Sequence, residues 1–129
     1  MEFKFNCEDA LGCNSQGYAI LEGSYENNIR ECYKLHITGI LDCIGEESSK
    51  QQGLNVVKTS FYKFFHSQDR MFIKAEKNVI IGYLRVGKRR IFIRDEQNNY
   101  FQEDPITVID FYIVKNYERQ GFGKVSFNY

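Results

Sequence analysis

Two glycines, Gly121 and Gly123, lie two residues apart between the basic side chains of Arg119 and Lys124. Glycine permits positive φ and lets backbone N–H groups approach an anion, and a helix that begins at such a turn adds the positive end of its dipole. The spacing therefore predicts a phosphate or pyrophosphate ligand. It is not a Walker loop, because no Gly-Lys-Ser/Thr follows, and a dinucleotide fingerprint would need a third glycine. Ordinary turns also contain such glycine pairs.

The turn follows a run of strand-forming residues at 106–114, which is rich in β-branched and aromatic side chains. Pro105 precedes the run, where the missing backbone N–H does least harm to a ladder. The pattern predicts a central strand that ends at the glycine turn.

The glycine turn resembles the pyrophosphate-binding motif Q/R-x-x-G-x-G/A of the GCN5-related N-acetyltransferases. Over residues 79–129, the segments IIGYLRVGKRRIFIRD, DPITVIDFYIV and ERQGFGK are similar to the alpha-tubulin N-acetyltransferase family. The resemblance implies an α/β (α+β) fold, in which helices flank a mixed, mostly antiparallel sheet that is incomplete at the C-terminus. On that basis residues 1–129 are expected to form the N-terminal part of a single acetyltransferase domain.

The same resemblance implies acetyl transfer from acetyl-CoA, as co-substrate, to a lysine of alpha-tubulin in microtubules, without a metal. Phe111, Tyr112 and Ile113 are expected to line the pantetheine arm, and residues 119–124 to hold the pyrophosphate, chiefly through backbone N–H groups. The whole segment expected to contact the coenzyme is Phe111, Tyr112, Ile113, Val114, Lys115, Asn116, Tyr117, Glu118, Arg119, Gln120, Gly121, Phe122, Gly123 and Lys124.

A second segment, ILDCIGEESSKQQGL at residues 40–54, is similar to the family's helix that carries a glutamine essential for activity. The resemblance places Gln52 at that position and implies a catalytic role for it. Gly53 replaces the family's usual asparagine. From the residues alone, the favoured interpretation of Gln52 is an ordinary solvated helix residue.

Three departures from the family pattern keep other functions open. Glu118 occupies the first motif position, Thr107 stands where the family has a cysteine, and the family's catalytic aspartate lies beyond Tyr129. The alternative is a non-catalytic remnant that binds acetyl-CoA or tubulin. A third possibility is an acetyltransferase that acts on a small amine.

The composition limits the other function classes. Seventeen basic and seventeen acidic residues give no net field that would attract nucleic acid. No apolar run approaches the roughly 20 residues that cross a bilayer, and no signal peptide is recognisable, so no membrane partner is expected. The expected location is cytoplasmic, on the microtubule cytoskeleton, that of cilia included.

The four cysteines lack a C-x-x-C spacing and are expected to be free thiols. Cys32 and His36 lie one helical turn apart, but a zinc site needs two further ligands, so no metal is predicted. His36 lies on an apolar helical face and is expected to be wholly or partly buried.

Alternation of apolar and polar residues predicts a short strand at residues 1–5. Residues 6–27 show no sustained period and are expected to be loop, with one further short strand at 18–21. The helical spacing of apolar residues predicts a helix over residues 29–44, capped by Asn28 with Glu31 and stopped at Gly45. Apolar residues at 54–65 predict a second helix, with a break at Gly53.

Residues 71–94 predict a three-stranded antiparallel meander with turns at residues 77–78 and 87–88. Gly82, within its second strand, predicts a bulge or a close backbone neighbour. Residues 95–104 are expected to be a polar loop. Residues 88–90 form a basic tip, which is either a solvated turn or a contact to the acidic surface of tubulin.

Overall fold

The computed structural model describes residues 1–114. Helices and strands occur in the order α1 (Cys7–Leu11), β1 (Tyr18–Glu22), α2 (Lys34–Gln51), α3 (Phe61–Phe65), β2 (Arg70–Glu76), β3 (Val79–Lys88), β4 (Ile91–Arg94), β5 (Tyr100–Glu103) and β6 (Ile106–Ile113). Two single-turn 3₁₀ helices, Glu26–Asn28 and Glu31–Tyr33, precede α2. Within this part of the chain, no helix combines the length and the apolar character needed to cross a membrane.

Within residues 1–114, four strands form one antiparallel sheet in the order β1-β2-β3-β6. The predicted strand at residues 18–21 and the predicted turn between β2 and β3 are confirmed, and Lys77 adopts a positive φ of 53° in that turn. A strand is also confirmed within 106–114, where β6 pairs with β3, but among the described residues it lies at the edge of the sheet and not at the predicted central position. Helices flanking an antiparallel sheet agree with the predicted α+β fold.

The predicted meander is wrong at its third strand. β4 does not pair with β3 but with β5, in a separate two-stranded sheet that begins at the pair Ile91 and Glu103. The place beside β3 is taken by β6, which is twice as long as β4 and contributes the buried side chains of Asp110, Tyr112 and Ile113. Because β5 lies at Tyr100–Glu103, the polar loop predicted over residues 95–104 is correct only in its first half.

The long helix α2 runs past both of its predicted ends. Asn28 caps no α-helix, since α2 begins at Lys34, and Gly45 lies inside the helix rather than at its stop. The helix ends at Gly53, whose φ is 66°. The Gly53 N–H donates to the Lys50 carbonyl and the Leu54 N–H to the Ser49 carbonyl, which is the Schellman arrangement of a helix C-terminus. The predicted break at Gly53 is therefore confirmed.

The core lies between the sheet and the inner face of α2, where Ile37, Ile40, Leu41 and Ile44 are at most 3% exposed. Their spacing of three and four residues is that of one helix face. His36 lies beside this face, is partly buried as predicted, and stacks on Phe5 with ring centroids 4.0 Å apart.

Gly45 stays within α2 because the chain before α3 passes directly against it. A Cβ at position 45 would lie 1.7 Å from the Thr59 carbonyl oxygen. The close approach offsets the roughly 1 kcal/mol that a glycine costs inside a helix. It also brings Thr59 beside the last turns of α2.

We expect Gly45→Ala to lower the free energy of unfolding by about 2 kcal/mol or more, because the added methyl group meets backbone that cannot move independently. The matched control is Gly39→Ala in the same helix, where an added Cβ has no atom of residues 1–114 within 4 Å. That substitution should leave stability unchanged or raise it by up to about 1 kcal/mol. Urea unfolding followed by circular dichroism measures both, and similar effects at the two positions would contradict the packing described here.

Gly82 has both predicted properties. Ile81 is an extra residue at a register shift between β2 and β3, directly beside Gly82, and a Cβ at position 82 would lie 2.6 Å from the Tyr112 carbonyl oxygen. The bulge and the close neighbour together let β6 lie tightly against β3.

Two other predicted elements differ from the structure. Residues 1–5 form a single bridge, Glu2 to Val79, instead of a strand. Only Phe61–Phe65 of the second predicted helix is helical, because Ser60 caps α3 by accepting from the Lys63 N–H. Before Ser60 the chain is held by Ser49, whose hydroxyl bonds the carbonyls of Leu54 and Val56.

Candidate functional site

The carboxylate of Asp110, on β6, is 4% exposed and lies at the centre of a hydrogen-bond network. Its Oδ1 accepts from Ser48 Oγ at 2.8 Å and from Gln52 Nε2 at 2.9 Å. Its Oδ2 accepts from Thr59 Oγ1 at 2.8 Å and from the Tyr83 hydroxyl at 2.6 Å. Side chains from α2, from the segment before α3 and from β3 thus converge on one carboxylate.

The hydrogen bonds decide the charge of Asp110. Burial by itself raises the pKa of this carboxyl, but the bonds from Tyr83, Ser48, Thr59 and Gln52 outweigh it and leave the pKa below its usual value. Burial, together with the bond to Asp110, raises the pKa of Tyr83. Asp110 is therefore an ionised acceptor and Tyr83 a neutral donor at physiological pH.

A second buried carboxylate, Asp69, holds two arginines. Arg85 Nε donates to Asp69 Oδ2 at 2.8 Å, and the side chains of this pair are 5% and 2% exposed. Arg89 binds both oxygens of Asp69, at 2.8 and 2.9 Å. Burial acts to raise the pKa of Asp69, but the two guanidinium groups lower it overall.

Thr59 joins the two carboxylates. Its hydroxyl accepts from Arg85 Nη1 at 3.2 Å and donates to Asp110 Oδ2. Arg85 and Asp110 are also direct register partners of β3 and β6. A continuous polar chain therefore runs through the protein from Arg89 to Gln52.

The end of α2 is fastened to β6 by further bonds. The Phe111 carbonyl accepts from Ser48 Oγ at 3.0 Å and from Gln52 Nε2 at 3.4 Å. Gln51 Nε2 donates to the Ile113 carbonyl at 3.2 Å. Gln52, predicted to be catalytic, thus lies against the strand predicted to contact the coenzyme, although 59 positions separate it from Phe111.

The first four predicted coenzyme contacts lie at the end of β6 and just after it. Phe111 is 43% exposed, whereas Tyr112 and Ile113 are buried and Val114 is partly buried. A ligand along this strand would therefore meet the backbone of Tyr112 and Ile113 rather than their side chains. The remaining predicted contacts lie outside the described residues: Lys115, Asn116, Tyr117, Glu118, Arg119, Gln120, Gly121, Phe122, Gly123 and Lys124.

Sequence reasoning missed Asp110, although two signals were present. Asp110 is the one charged residue in the apolar run 106–114. On α2, the positions that continue the buried face past Ile44 are Gly45, Ser48 and Ser49, and Gln52 caps the end of the helix. Polar side chains on a buried face need polar partners, and an isolated carboxylate in a buried strand is such a partner.

The three residues of the basic tip, 88–90, have different environments. Arg89 turns inward to Asp69 and is not a simple solvated residue, whereas Lys88 and Arg90 are exposed. Residues 1–114 contain no group of three His, Cys, Asp or Glu side chains that could hold a metal ion. Cys32 is exposed.

Comparison with known proteins finds one family and its members along the chain. The model of a family described as GNAT acetyltransferase, Mec-17 matches residues 12–129. An alpha-tubulin N-acetyltransferase of Tetrahymena thermophila is 31% identical over 130 residues, which cover 100% of this chain and 33% of the relative. That of Schistosoma japonicum is 28% identical over 149 residues, covering 100% of this chain and 56% of the relative.

Alpha-tubulin N-acetyltransferase 1 of Danio rerio is 28% identical over 99 residues, which cover 72% of this chain and 33% of the relative. The chain thus spans between about a third and a little over half of the length of these three relatives.

Proposed function

This chain belongs to the GNAT acetyltransferase, Mec-17 family, and on that premise we propose that it transfers an acetyl group from acetyl-CoA to a lysine of alpha-tubulin. The relatives named above are alpha-tubulin N-acetyltransferases. The observation that carries the proposal is the contact between Gln52 and the backbone of β6 at Phe111. It brings the proposed catalytic side chain to the strand that we propose contacts the coenzyme.

In the proposed reaction, the neutral ε-amine of lysine attacks the thioester carbonyl carbon of acetyl-CoA. The carbon–sulfur bond breaks, coenzyme A leaves as the thiol after taking up a proton, and an amide forms on the lysine. The reaction needs the amine and thioester held in line, and donors for the oxyanion. We propose that β6 and the glycine turn at Gly121 and Gly123 hold the coenzyme, while Gln52 acts on the acceptor side.

The exposed part of the basic tip suits the proposed partner. Lys88 and Arg90 are both exposed, and the Arg90 ion pair with Asp104 is long at 3.7 Å, so within residues 1–114 neither charge is buried or tightly paired. An acidic surface such as that of tubulin is attracted to such side chains, more strongly at low salt. The proposed location is accordingly on microtubules, including those of cilia.

We expect Gln52→Ala to lower the rate of acetyl transfer to alpha-tubulin at least about 100-fold. A reacting group that loses a positioning contact and moves by about 1 Å can slow a reaction by that factor. Transfer of labelled acetyl to polymerised tubulin measures it, alongside titration of the chain with acetyl-CoA by calorimetry and circular dichroism to verify folding. Lys50→Ala is the control, because the side chain of this exposed residue in the same helix makes a 3.7 Å surface pair with Glu47 and no closer polar contact within residues 1–114. Equal activity of the two variants would refute the role of Gln52.

The second candidate function is binding of acetyl-CoA or tubulin without transfer. Thr107 favours it, because threonine is a poor proton acceptor at the position where the family has a cysteine, and its hydroxyl makes a local bond to the Pro105 carbonyl at 3.3 Å. Saturable binding of acetyl-CoA by a folded chain that transfers nothing to tubulin or to small amines would establish this alternative. Transfer to small amines alone would identify a different acceptor.

A further inference from the structure

The carboxamide of Gln52 has only one orientation that its neighbours allow. Gln52 Nε2 lies 2.9 Å from Asp110 Oδ1 and 2.8 Å from Ser48 Oγ. Asp110 is ionised and can only accept. The single hydroxyl hydrogen of Ser48 faces two acceptors, Asp110 Oδ1 at 2.8 Å and the Phe111 carbonyl at 3.0 Å, so Ser48 Oγ too accepts from Gln52. An inverted carboxamide would place its oxygen against two acceptors, and both neighbours thus require the amide nitrogen to point inward.

The outward end of Gln52 is therefore its oxygen. Gln52 is an exposed residue at the C-terminus of α2. Among residues 1–114, no group donates a hydrogen bond to Gln52 Oε1, whereas Nε2 contacts three acceptors. The negative charge of Asp110 behind the nitrogen polarises the carboxamide and strengthens Oε1 as an acceptor.

We propose that Gln52 Oε1 accepts a hydrogen bond from the ε-amino group of the acceptor lysine, and that Asp110 is the positioning residue that sets this polarity. The inference rests on the proposed acetyl transfer and specifies the role of Gln52 in it. An acceptor oxygen holds an N–H of the amine and leaves its lone pair directed at the thioester. It cannot stabilise the oxyanion, which requires donors. The carboxamide orients the amine and takes no proton from it.

A reciprocal exchange of the two side chains tests the polarity. Gln52→Glu places two carboxylates together, and Asp110→Asn removes the charge that orients Gln52, so each substitution should lower kcat about tenfold or more. In the double variant, the carboxamide at position 110 donates an N–H to the carboxylate at position 52, so a donor again faces a carboxylate. The outward end of side chain 52 is still an acceptor oxygen. The double variant should recover kcat to within about threefold of the original chain, since a re-formed pair makes the effects non-additive.

Tyr83→Phe supplies the matched control. It removes a donor from the opposite oxygen of the same carboxylate, Asp110 Oδ2, without contact to Gln52. Combined with Gln52→Glu it should give no recovery. A double exchange that is folded by circular dichroism but no more active than the single variants would overturn the acceptor role and favour Gln52 as a donor.

The orientation of the Gln52 carboxamide is also measurable without an activity assay. A wrong orientation can therefore be distinguished from a wrong proposed function. In the ¹⁵N-labelled chain, the two Gln52 carboxamide protons should have more widely separated chemical shifts than those of the exposed Gln97, and they should exchange with water more slowly. Asp110→Asn should abolish both differences. If the chain transfers no acetyl to tubulin, the proposed function fails and the role toward lysine fails with it. Gln52 signals that match those of Gln97 in the unsubstituted chain would refute the fixed polarity itself.

Discussion

Asp69→Asn is expected to lower the free energy of unfolding by about 3–5 kcal/mol, the range found when one partner of a buried ion pair is removed. The substitution keeps the size of the side chain but removes the negative charge that is bonded directly to Arg85, whose side chain is 5% exposed. It also removes the two-point contact to Arg89. Urea unfolding of the full chain, followed by circular dichroism, gives the change directly.

The control for Asp69 is Asp104→Asn, which removes the same charge from an exposed pair. Arg90 and Asp104 are 3.7 Å apart with side chains 64% and 49% exposed, so the loss should be at most about 1 kcal/mol. Asp69→Asn combined with Arg85→Met should recover part of the lost stability, because it removes the uncompensated charge. If Asp69→Asn costs no more than Asp104→Asn, Arg85 is not held as a buried ion.

Asp110→Ala is expected to destabilise the chain by about 4 kcal/mol or more, the range of a broken buried network. The substitution removes the carboxylate that accepts from the hydroxyls of Thr59 and Tyr83, and it leaves the Ser48 hydroxyl with the Phe111 carbonyl as its acceptor. All three residues are at most 1% exposed. It also releases Gln52 and with it part of the attachment of α2 to β6. The measurement is the urea midpoint, or loss of the far-ultraviolet circular dichroism signal if the variant is unfolded in water.

Two graded variants bracket the effect at Asp110. Tyr83→Phe removes one donor and leaves the carboxylate three other side-chain partners, so it should cost about 1–2 kcal/mol. Asp110→Asn should lie between Tyr83→Phe and Asp110→Ala, because it keeps one acceptor oxygen and the hydroxyls of Tyr83 and Thr59 can turn to accept. If the Asp110→Ala variant were as stable as the Tyr83→Phe variant, the other hydrogen bonds to Asp110 would contribute little to the free energy of unfolding.

The two carboxylates serve stability and the proposed function together. Thr59 bonds both Arg85 and Asp110, so a change at Asp69 reaches Gln52 through successive polar contacts. Buried polar networks are rigid when every member is satisfied. A rigid support of this kind is what an exposed side chain needs if it is to hold a substrate amine in one place.

The strands of this protein were largely predictable from local sequence. The change to a strand period at Met71 identified β2, the β-branched and aromatic residues after Pro105 identified β6, and Gly82 correctly predicted a bulge and a close backbone neighbour. Each of these signals is local, because side-chain direction alternates within a strand and glycine is needed where backbones touch. The position of Gln52 was found by resemblance, and the residue pattern left it as a solvated helix residue.

Only the tertiary structure decided the course of α2, the partner of β4 and the role of Asp110. From local sequence, Gly45 is predicted to stop the helix, but the structure shows that Thr59 packs against it within the helix. Likewise β4 is predicted to pair with β3, but β6 occupies that edge of β3. The partners of Asp110 on α2 are 58 and 62 positions away. Periodicity reports which face of an element is buried, but not what lies opposite that face. The local sequence therefore determined the elements, while long-range packing determined which polar groups meet and hence how the site is built.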